Sequence, residues 1–562
     1  WIETLADVQH TPLPELAPAD KNEDVVFSKT VQGLEHLEGV RQKLGVTYQA
    51  IVQAAWTVTL QNYLQAASAP TFGVVVSGRA IDFLDAEKIV GPLLNTLVFH
   101  ASTEQGMSWE NLIKKCHEYN TGVLPFQHTA LKDVMKWAGK GEELMDSLFV
   151  FQHAEEEESN GLWKEVQGKP TADYPVALEA TLQQGGGLGL TIVGQSAYLN
   201  AEMAEKLVKG VEDALKGVKT GDQKISLPAS SGSSTTKTKK DNAKEDSVTD
   251  EDFEWTPTSE TIRAEIAFLT KVDAAQIQPY TTLFSLGLDS IDMIKLASRL
   301  KSKKIKITVS ALVKAGCIAK MMKSITSADA GPTKLAIKLE DIETKLRAAL
   351  EKEDKITDAE DIEAVLPATP LQEGMVAEMI ASDFKRYYNH ELYKLSSETD
   401  MKKIKGAWET CIAAHPILRT KFVEVEDVAM DVGYAQVVCK DEPGIWQSVV
   451  VVPDDSLESA IQKEIANAIT AAKKGKMIQL RDVTHGNDKY YLLSISHALY
   501  DGWSLDALHS DVVAVYNNHD INRPSPRNTL EHVINANGPE AAKYWRTALT
   551  GLPRSSFPVK NT

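Results

Sequence analysis

One segment of this 562-residue chain lacks the apolar residues that folding requires. Residues 222–252 are rich in serine, threonine, lysine and aspartate and include the run SSGSSTTKTKK. Such a segment cannot bury enough apolar surface to offset the entropy lost on ordering. We therefore predict a flexible linker here, with separately folded segments on either side. A chain of this length is also too long for a single hydrophobic core.

Composition narrows the class of protein. The hydrophobic content of 43% and the charged content of 25% are ordinary for soluble globular proteins. The net charge of −18 opposes binding to nucleic acid or to an anionic membrane, and no apolar run is long enough to cross a bilayer. The four cysteines are scattered, which indicates free thiols in a reducing, cytoplasmic compartment and no metal site. The chain opens with Trp1 and has no signal-like stretch, so we expect a piece of a longer protein.

A serine stands at a predicted helix start downstream of the linker. Ser290 follows Gly287, Leu288 and Asp289 where a turn gives way to a helix with apolar periodicity. A hydroxyl at this position is accessible, and the positive end of the helix dipole favours a phosphate ester there. By position alone, helix capping is the commoner role of such a residue.

The sequence around Ser290 points to a family. The stretch LFSLGLDSIDMIKLASRL (283–300) resembles the phosphopantetheine attachment motif of peptidyl carrier proteins, with Leu288 where the family often has a second glycine. The resemblance covers residues 253–327 and implies an all-α, four-helix carrier domain. It also implies that a phosphopantetheinyl transferase attaches a 4'-phosphopantetheine arm to Ser290, on which aminoacyl or peptidyl groups are held as thioesters.

Residues 1–221 carry mixed helix and strand signals. Helical spacing predicts a helix over 46–64, and short β-branched or alternating runs predict strands over 71–77, 148–152 and 176–182. The glycine cluster at 185–189 lacks the helix and lysine of a phosphate-binding loop, so it predicts a hairpin turn.

The stretch SGRAIDFLDAEKIVGPLLNTLVFH (77–100) is similar to the C-terminal lobe of a nonribosomal-peptide condensation domain. The matching residues are Gly78, Arg79, Gly91, Pro92, Asn95 and Thr96. LFVFQ (148–152) resembles a later strand of the same lobe. Taken singly, Gly91 and Pro92 indicate only a turn and Asn95 only a cap, but their order favours the family.

The last part of the chain resembles the N-terminal lobe of the same domain. Residues 328–360 predict a second linker with a helical stretch over 334–353. In residues 361–562, VLPATPLQEGMV (365–376) resembles the opening motif, and HPILRTKF (415–422) resembles the motif that contributes an arginine, here Arg419.

ISHALYDGWS (495–504) resembles the HHxxxDG active-site motif. His497 matches its catalytic histidine, Asp501 and Gly502 match its end, and Ser496 replaces its first histidine. A strand over 492–499 would deliver His497 to a turn, where an imidazole can deprotonate an attacking amine or stabilise the charge that develops. Gly502 would allow a tight bend. The resemblance implies that Asp501 pairs with Arg419. A lone histidine is more often a hydrogen-bonded structural residue.

The predicted fold class is α+β multidomain, with chloramphenicol-acetyltransferase-like half-domains flanking the all-α carrier. Along the chain, a C-terminal lobe comes first, the carrier second and an N-terminal lobe last. We therefore expect no complete catalytic tunnel unless they meet each other or those of another copy. No adenylation domain lies between them, so activation would come from an adenylation domain elsewhere in a parent synthetase, whose other carrier and condensation domains would be further partners. This order resembles the C-terminal end of fungal ferrichrome-type siderophore synthetases, which implies hydroxamate substrates.

Two other function classes remain open. A dehydrogenase-complex-type acyltransferase shares the HxxxDG motif but would need a lysine on a β-rich lipoyl domain. A non-catalytic module would use its half-domains only to dock carriers.

Overall fold

The computed structural model describes residues 24–66, 69–81, 83, 85–137, 145–154, 161–168, 174–183, 186–228, 253–288, 290–327, 337–356, 361–426, 432–451, 456–536 and 538–549. Residues 24–228 are called the first segment, 253–327 the helical segment and 361–549 the second segment. Among the described residues, no helix has both the length and the apolar character to span a membrane.

The first segment is built on a mixed sheet. Its strands, in the order β1-β7-β6-β4-β2-β3, are β1 (Asp24–Val31), β2 (Phe72–Val76), β3 (Asn95–Phe99), β4 (Ser147–His153), β6 (Val176–Leu182) and β7 (Leu188–Gln195). Its helices are α1 (His36–Leu44), α2 (Tyr48–Tyr63), α3 (Trp109–Gly122), α4 (Leu131–Trp137) and α5 (Ala201–Gly217). The core lies between this sheet and α2, whose Trp56 is fully buried.

The structure confirms the predicted elements of the first segment. The helix expected over 46–64 is α2, and the three expected strands are β2, β4 and β6. Strands β6 and β7 pair antiparallel up to Leu182 and Leu188, so the glycine cluster joins a hairpin.

The predicted start of the first linker at residue 222 is wrong. Residues 222–228 lie against the first segment, where Ile225 is 4% exposed and its N–H donates to the Met107 carbonyl at 2.9 Å. The apolar side chains of Ile225 and Leu227 explain this packing, since they join the core of the first segment. The remainder of the predicted linker, residues 229–252, lies outside the described residues.

The helical segment contains four α-helices, as predicted. They are α6 (Pro257–Thr270), α7 (Ser290–Ser302), α8 (Val309–Ala315) and α9 (Ile318–Ser327). Thr256 and Ser259 form a capping box at the start of α6, with Pro257 in its first turn. The apolar faces of these helices enclose Leu283, Leu288 and Leu296 in one core.

The second segment contains two sheets. The strands are β8 (Ile362–Pro367), β9 (Tyr388–Leu395), β10 (Thr420–Glu424), β11 (Tyr434–Cys439), β12 (Trp446–Val450), β13 (Ile478–His485) and β14 (Asp488–Ser496). The helices are α11 (Pro370–Ala381), α12 (Met401–Ala414), α13 (Leu457–Ala472), α14 (Gly502–Tyr516), α15 (Arg527–Ile534) and α16 (Pro539–Ala548). One sheet has the order β10-β11-β8. Helix α10 (Leu339–Lys352), within the second predicted linker, packs on β8.

The first and second segments exchange elements. Strand β5 (Trp163–Gly168) belongs to the first segment in sequence but pairs antiparallel with β9, completing the sheet β12-β13-β14-β9-β5. Conversely, α16 packs on the first segment through the fully buried Trp545, and Tyr544 stacks on Phe126 with ring centroids 4.3 Å apart. Of the two arrangements left open by the sequence, the structure therefore shows the half-domains meeting each other.

Candidate active site

His497 lies where the central strand of the second segment ends. Strand β14 ends at Ser496, and His497 begins a short 3-10 turn that extends to Leu499. The backbone N–H of His497 donates to the carbonyl of Tyr387 at 2.8 Å. Tyr387 has a φ of +56°, a region that side-chain-bearing residues rarely occupy. The predicted delivery of the histidine from a buried strand is thus seen in the fold.

The His497 ring is fixed by Tyr500. Its Nδ1 lies 2.8 Å from the Tyr500 carbonyl, and the two rings stack with centroids 4.7 Å apart and planes inclined by 10°. Because a carbonyl can only accept, Nδ1 carries the proton in this contact, and in the neutral ring the lone pair is then on Nε2. Asn389 on β9 donates to the Tyr500 hydroxyl at 2.7 Å, so the second ring is held as well. His497 itself is half-buried.

Ser496 stands where the resembling family has its first histidine. Its side chain is fully buried, and its hydroxyl accepts a hydrogen bond from the Ala498 N–H at 3.3 Å. The serine therefore caps the 3-10 turn that starts at His497 and supports it through the backbone.

Asp501 joins the two segments. Its carboxylate accepts hydrogen bonds from Arg79 Nη1 at 2.6 Å and Nη2 at 3.1 Å, and from the backbone N–H groups of Leu93 at 3.0 Å and Leu94 at 3.3 Å. Asp501 also caps α14 in a capping box with Ser504. The side chains of Asp501 and Arg79 are only 2% and 1% exposed, so the ion pair is buried between the segments.

The charge state of Asp501 follows from these contacts. Burial by itself would raise the pKa of this carboxyl group, but the charge and hydrogen bonds of Arg79 and the N–H groups of Leu93 and Ser504 hold its pKa below the ordinary value. The carboxylate is therefore ionised at neutral pH.

Gly78 allows Arg79 to reach this position. The glycine has a φ of +67°, and a Cβ atom added to it would overlap the carbonyl of Leu93. The backbone of the loop that donates to Asp501 thus packs directly against the residue before Arg79.

Two details of the sequence prediction are wrong. Arg419 does not pair with Asp501; its Nη1 contacts Glu363 at 2.8 Å and the Lys440 carbonyl at 3.0 Å, and its Nε donates to the Ile412 carbonyl. The backbone turn at Pro416–Arg419 directs it into the second segment, away from the interface. Gly502 makes no bend that needs a glycine, because its φ is not positive and it begins α14 as an ordinary first helical residue.

The residues that join the segments were not all found from sequence. The motif that contains Arg79 predicts no role for the arginine, and no sequence signal marks Trp503, whose Nε1 donates to the Glu87 carbonyl at 2.6 Å. The signal for Arg79 was a lone arginine after a glycine at the end of a buried strand. No comparable signal marked Tyr500. Among the described residues, no group of three His, Cys, Asp or Glu side chains could hold a metal ion.

The turn that carries Ser290 faces the first segment. Helix α7 begins at Ser290, whose side chain lies outside the described part, as does Asp289. Gly287 and Leu288 line a cavity of about 850 Å³ that is open to solvent. The rest of its lining comes from the first segment, including Asn120 and Gln127.

This cavity suits an amide-containing arm. Gln127 is 3% exposed, its Nε2 donates to the Ala80 carbonyl at 2.7 Å, and in the described part of the chain its Oε1 has no hydrogen-bond partner. A buried acceptor of this kind is usually paired with a hydrogen-bond donor. The two amide N–H groups of a phosphopantetheine arm on Ser290 would supply one, so these residues fit that group.

Comparisons with known proteins identify the family of the chain. The condensation-domain family matches residues 1–234 and 362–562, and the phosphopantetheine attachment site family matches residues 260–325. The chain is 37% identical over 556 residues to nonribosomal peptide synthetase 2 of Cochliobolus heterostrophus, covering 97% of this chain and 10% of that protein. It is 34% identical over 574 residues to nonribosomal peptide synthetase sidC of Arthroderma benhamiae, covering 99% of this chain and 11% of that protein.

The chain spans about a tenth of the length of these relatives. Among solved structures, the condensation domain from Monacolin K polyketide synthase MokA is 13% identical with a TM-score of 0.32, covering 39% of this chain and 56% of that one. The two family matches lie on the segments that meet at Asp501 and on the helical segment that contains Ser290. The chain therefore belongs to the condensation-domain family and contains a phosphopantetheine attachment domain.

Proposed function

We propose that the chain carries aminoacyl or peptidyl thioesters on a phosphopantetheine arm at Ser290, and that His497 promotes amide-bond formation at a centre assembled from the first and second segments. In this proposal residues 253–327 are the carrier. Residues 1–228 supply the C-terminal lobe of a condensation domain, and residues 361–562 supply the N-terminal lobe. The observation that carries the proposal is the orientation of His497. Its Nδ1 is bound to the Tyr500 carbonyl, so in the neutral ring the lone pair lies on Nε2, the nitrogen that would face substrate in this proposal.

The chain's own residues have distinct roles in this mechanism. Ser290 would hold the arm, which would supply the acyl group as a thioester. The Nε2 lone pair of His497 would accept a proton from the attacking amine, or orient the amine by hydrogen bonding, as the amine nitrogen bonds to the acyl carbon. The C–S bond of the thioester would then break, and the sulfur would leave as the thiol with the proton taken from the amine. Tyr500 holds the ring and its tautomer. Asp501 and Gly502 do not need to touch substrate, because Asp501 is fully engaged with Arg79 and the backbone of the first segment.

We further propose that the parent is a fungal synthetase that makes hydroxamate siderophores in the cytoplasm. Two observations support this: a carrier follows a condensation lobe without an intervening adenylation domain, and the similar proteins are fungal nonribosomal peptide synthetases, several of them named sidC. Adenylation and further carrier and condensation domains would be its partners, with a phosphopantetheinyl transferase that modifies Ser290.

The first experiment is an intact-mass measurement of the purified chain before and after incubation with coenzyme A and a broad-specificity phosphopantetheinyl transferase. We expect one added phosphopantetheine, which is absent from Ser290→Ala. Ser285→Ala, which removes a nearby, partly buried hydroxyl, is the matched control and should still be modified. Absence of the added mass in folded wild-type protein would leave Ser290 as a helix cap and refute the carrier.

The second experiment separates catalysis from docking. We expect His497→Ala in the full parent synthetase to abolish product formation, whereas His519→Ala, at an exposed histidine of the same segment, should not. Unchanged product with His497→Ala would favour a non-catalytic docking module. Product formed without any modification of Ser290 would favour an HxxxDG acyltransferase of another class.

A further inference from the structure

Phe284 is one of the residues through which the helical segment contacts the first segment. The carbonyl of Phe284 accepts a hydrogen bond from Arg41 Nη1, and its ring lies edge-on to the imidazole of His117, with centroids 4.6 Å apart and planes at 87°. Phe284 belongs to the loop that leads to Ser290. The contact therefore fixes the loop next to the attachment residue, and Arg41 lies at its centre.

Arg41 is an unusual residue for such a place, because it is only 5% exposed. Glu38 holds it from the same helix through two hydrogen bonds, Nε to Oε2 at 2.8 Å and Nη2 to Oε1 at 2.6 Å. Tyr48 donates to the same carboxylate at 2.9 Å. A guanidinium group has five N–H donors, and the contacts to Glu38 and Phe284 use three. Two donors therefore remain.

The remaining donors adjoin the attachment loop. Arg41 lines the same cavity as Gly287 and Leu288, and among the described residues around that cavity it is the one with a permanent positive charge. A Cβ atom built on Gly287 would lie 3.6 Å from Arg41 Nη2. Only Leu288 and Asp289 separate Gly287 from Ser290 along the chain. The guanidinium group of Arg41 thus lies next to the backbone of Gly287, close to Ser290 along the chain.

We propose that Arg41 binds the phosphodiester of the phosphopantetheine arm when the helical segment is docked, and so makes docking depend on modification of Ser290. This inference rests on the proposed function, since it requires the arm. Arginine and phosphate form short, charge-assisted hydrogen bonds, and the start of α7 at Ser290 adds the favourable end of a helix dipole.

Glu38 sets the strength of this contact. Its hydrogen bond to Arg41 lowers the pKa of its carboxyl group, so Glu38 is ionised at neutral pH and its charge opposes a nearby phosphate. Removing that charge should strengthen phosphate binding by Arg41. A role for Arg41 limited to the Phe284 carbonyl predicts no such gain, because loss of the Glu38 contacts would only loosen the side chain.

The test compares hydrogen exchange of residues 281–288 in the full chain before and after phosphopantetheinylation, with the added mass confirmed first. We expect exchange to slow by about tenfold on modification of the wild type, as for one hydrogen bond to a charged group. Arg41→Gln should abolish this difference. Lys43→Gln, which removes the same charge from an exposed position of the same helix, should keep it.

The outcomes are distinguishable. Failure of the mass to increase refutes the carrier assignment itself. A mass increase with no change in exchange in the wild type, or with the full change retained in Arg41→Gln, overturns only the role of Arg41. Should Arg41→Gln fail to fold, Glu38→Gln decides. A larger difference between the modified and unmodified forms supports phosphate binding, and an equal or smaller one overturns it.

Discussion

Replacement of Arg79 by methionine tests whether the buried ion pair holds the two segments together. The change leaves the carboxylate of Asp501 buried, with backbone donors but no counter-charge. Breaking such a buried pair by removing one partner typically costs about 3–5 kcal/mol. Because the N–H groups of Leu93 and Leu94 donate to Asp501, their exchange reports directly on opening of the interface.

The expected loss is large. At 1.36 kcal/mol per power of ten, protection of the Leu93 and Leu94 amides should fall between about a hundredfold and a few thousandfold. Local exchange is the suitable assay because a chain with several folded segments does not unfold in one two-state transition. Arg419→Met is the matched control, since Arg419 is also buried but binds only within the second segment, and it should leave both amides unchanged.

A double replacement checks the electrostatic explanation. Arg79→Met with Asp501→Asn leaves neither charge unpaired, so the pair of changes should cost less than the sum of the single ones. Strict additivity, or a loss of protection in Arg79→Met that is below tenfold or matched by Arg419→Met, would refute the reasoning. In the wild type the pKa of Asp501 lies below its ordinary value, so the stabilisation is present at neutral pH and is lost as pH falls through that pKa, below about 4.

Three further predictions concern other contacts. Tyr500→Leu removes the ring stacked on His497 and should lower kcat by about tenfold or more. Tyr500→Phe loses only the hydroxyl held by Asn389 and should lower kcat less. Equal effects of the two variants in a condensation assay would contradict this order. Burial raises the pKa of Glu391 on β9 to about 7, so the wild type should lose up to about 3 kcal/mol of stability as pH rises from 4.5 to 7. Glu391→Gln should therefore raise the melting temperature at pH 8 but not at pH 5. Burial lowers the pKa of His117 to about 4, so its contact with Phe284 should weaken as pH falls below about 6.5. The radius of gyration should therefore grow between pH 7 and 5 in the wild type but not in His117→Leu.

The local elements of the fold followed from the sequence because their signals are local. The β-branched run at β2 and the alternation at β6 specify strands by residue type and period. The four helices of the helical segment and the choice of His497 came instead from resemblance to family motifs, since helical spacing marked only the helix after Ser290 and a lone histidine is more often structural. The predicted start of the linker was wrong because the average composition of residues 222–252 is polar, although Ile225 within it is apolar and packs in the core of the first segment.

The partner of Asp501 could not be chosen from sequence. Arg79 and Arg419 both follow buried elements and both become buried, and nothing in the pattern states which one faces the aspartate across 422 residues. The choice depends on how the segments pack. The loop that contains Leu93 must close on Gly78 before Arg79 can reach the interface. The exchange of β5 into the other sheet is hidden for the same reason, because strand period does not identify a pairing partner.

The interface between the first and second segments is stronger than the interface between the helical and first segments. We therefore predict that the helical segment separates first. The first and second segments share strand pairing between β5 and β9, a buried ion pair and the buried Trp545. The helical segment is held by contacts around Phe284, by Leu124 of the first segment, which lies in the apolar core of the helical segment, and by a 3.4 Å contact between Ser298 and Asp85. Paired strands, a buried ion pair and a fully buried tryptophan outweigh one inserted leucine, an aromatic contact and a few polar contacts. In a urea titration followed by hydrogen exchange, residues 281–288 should therefore lose protection before Leu93 and Leu94. This order would let a carrier leave the first segment while His497 stays in an assembled centre, and simultaneous loss at both places would contradict it.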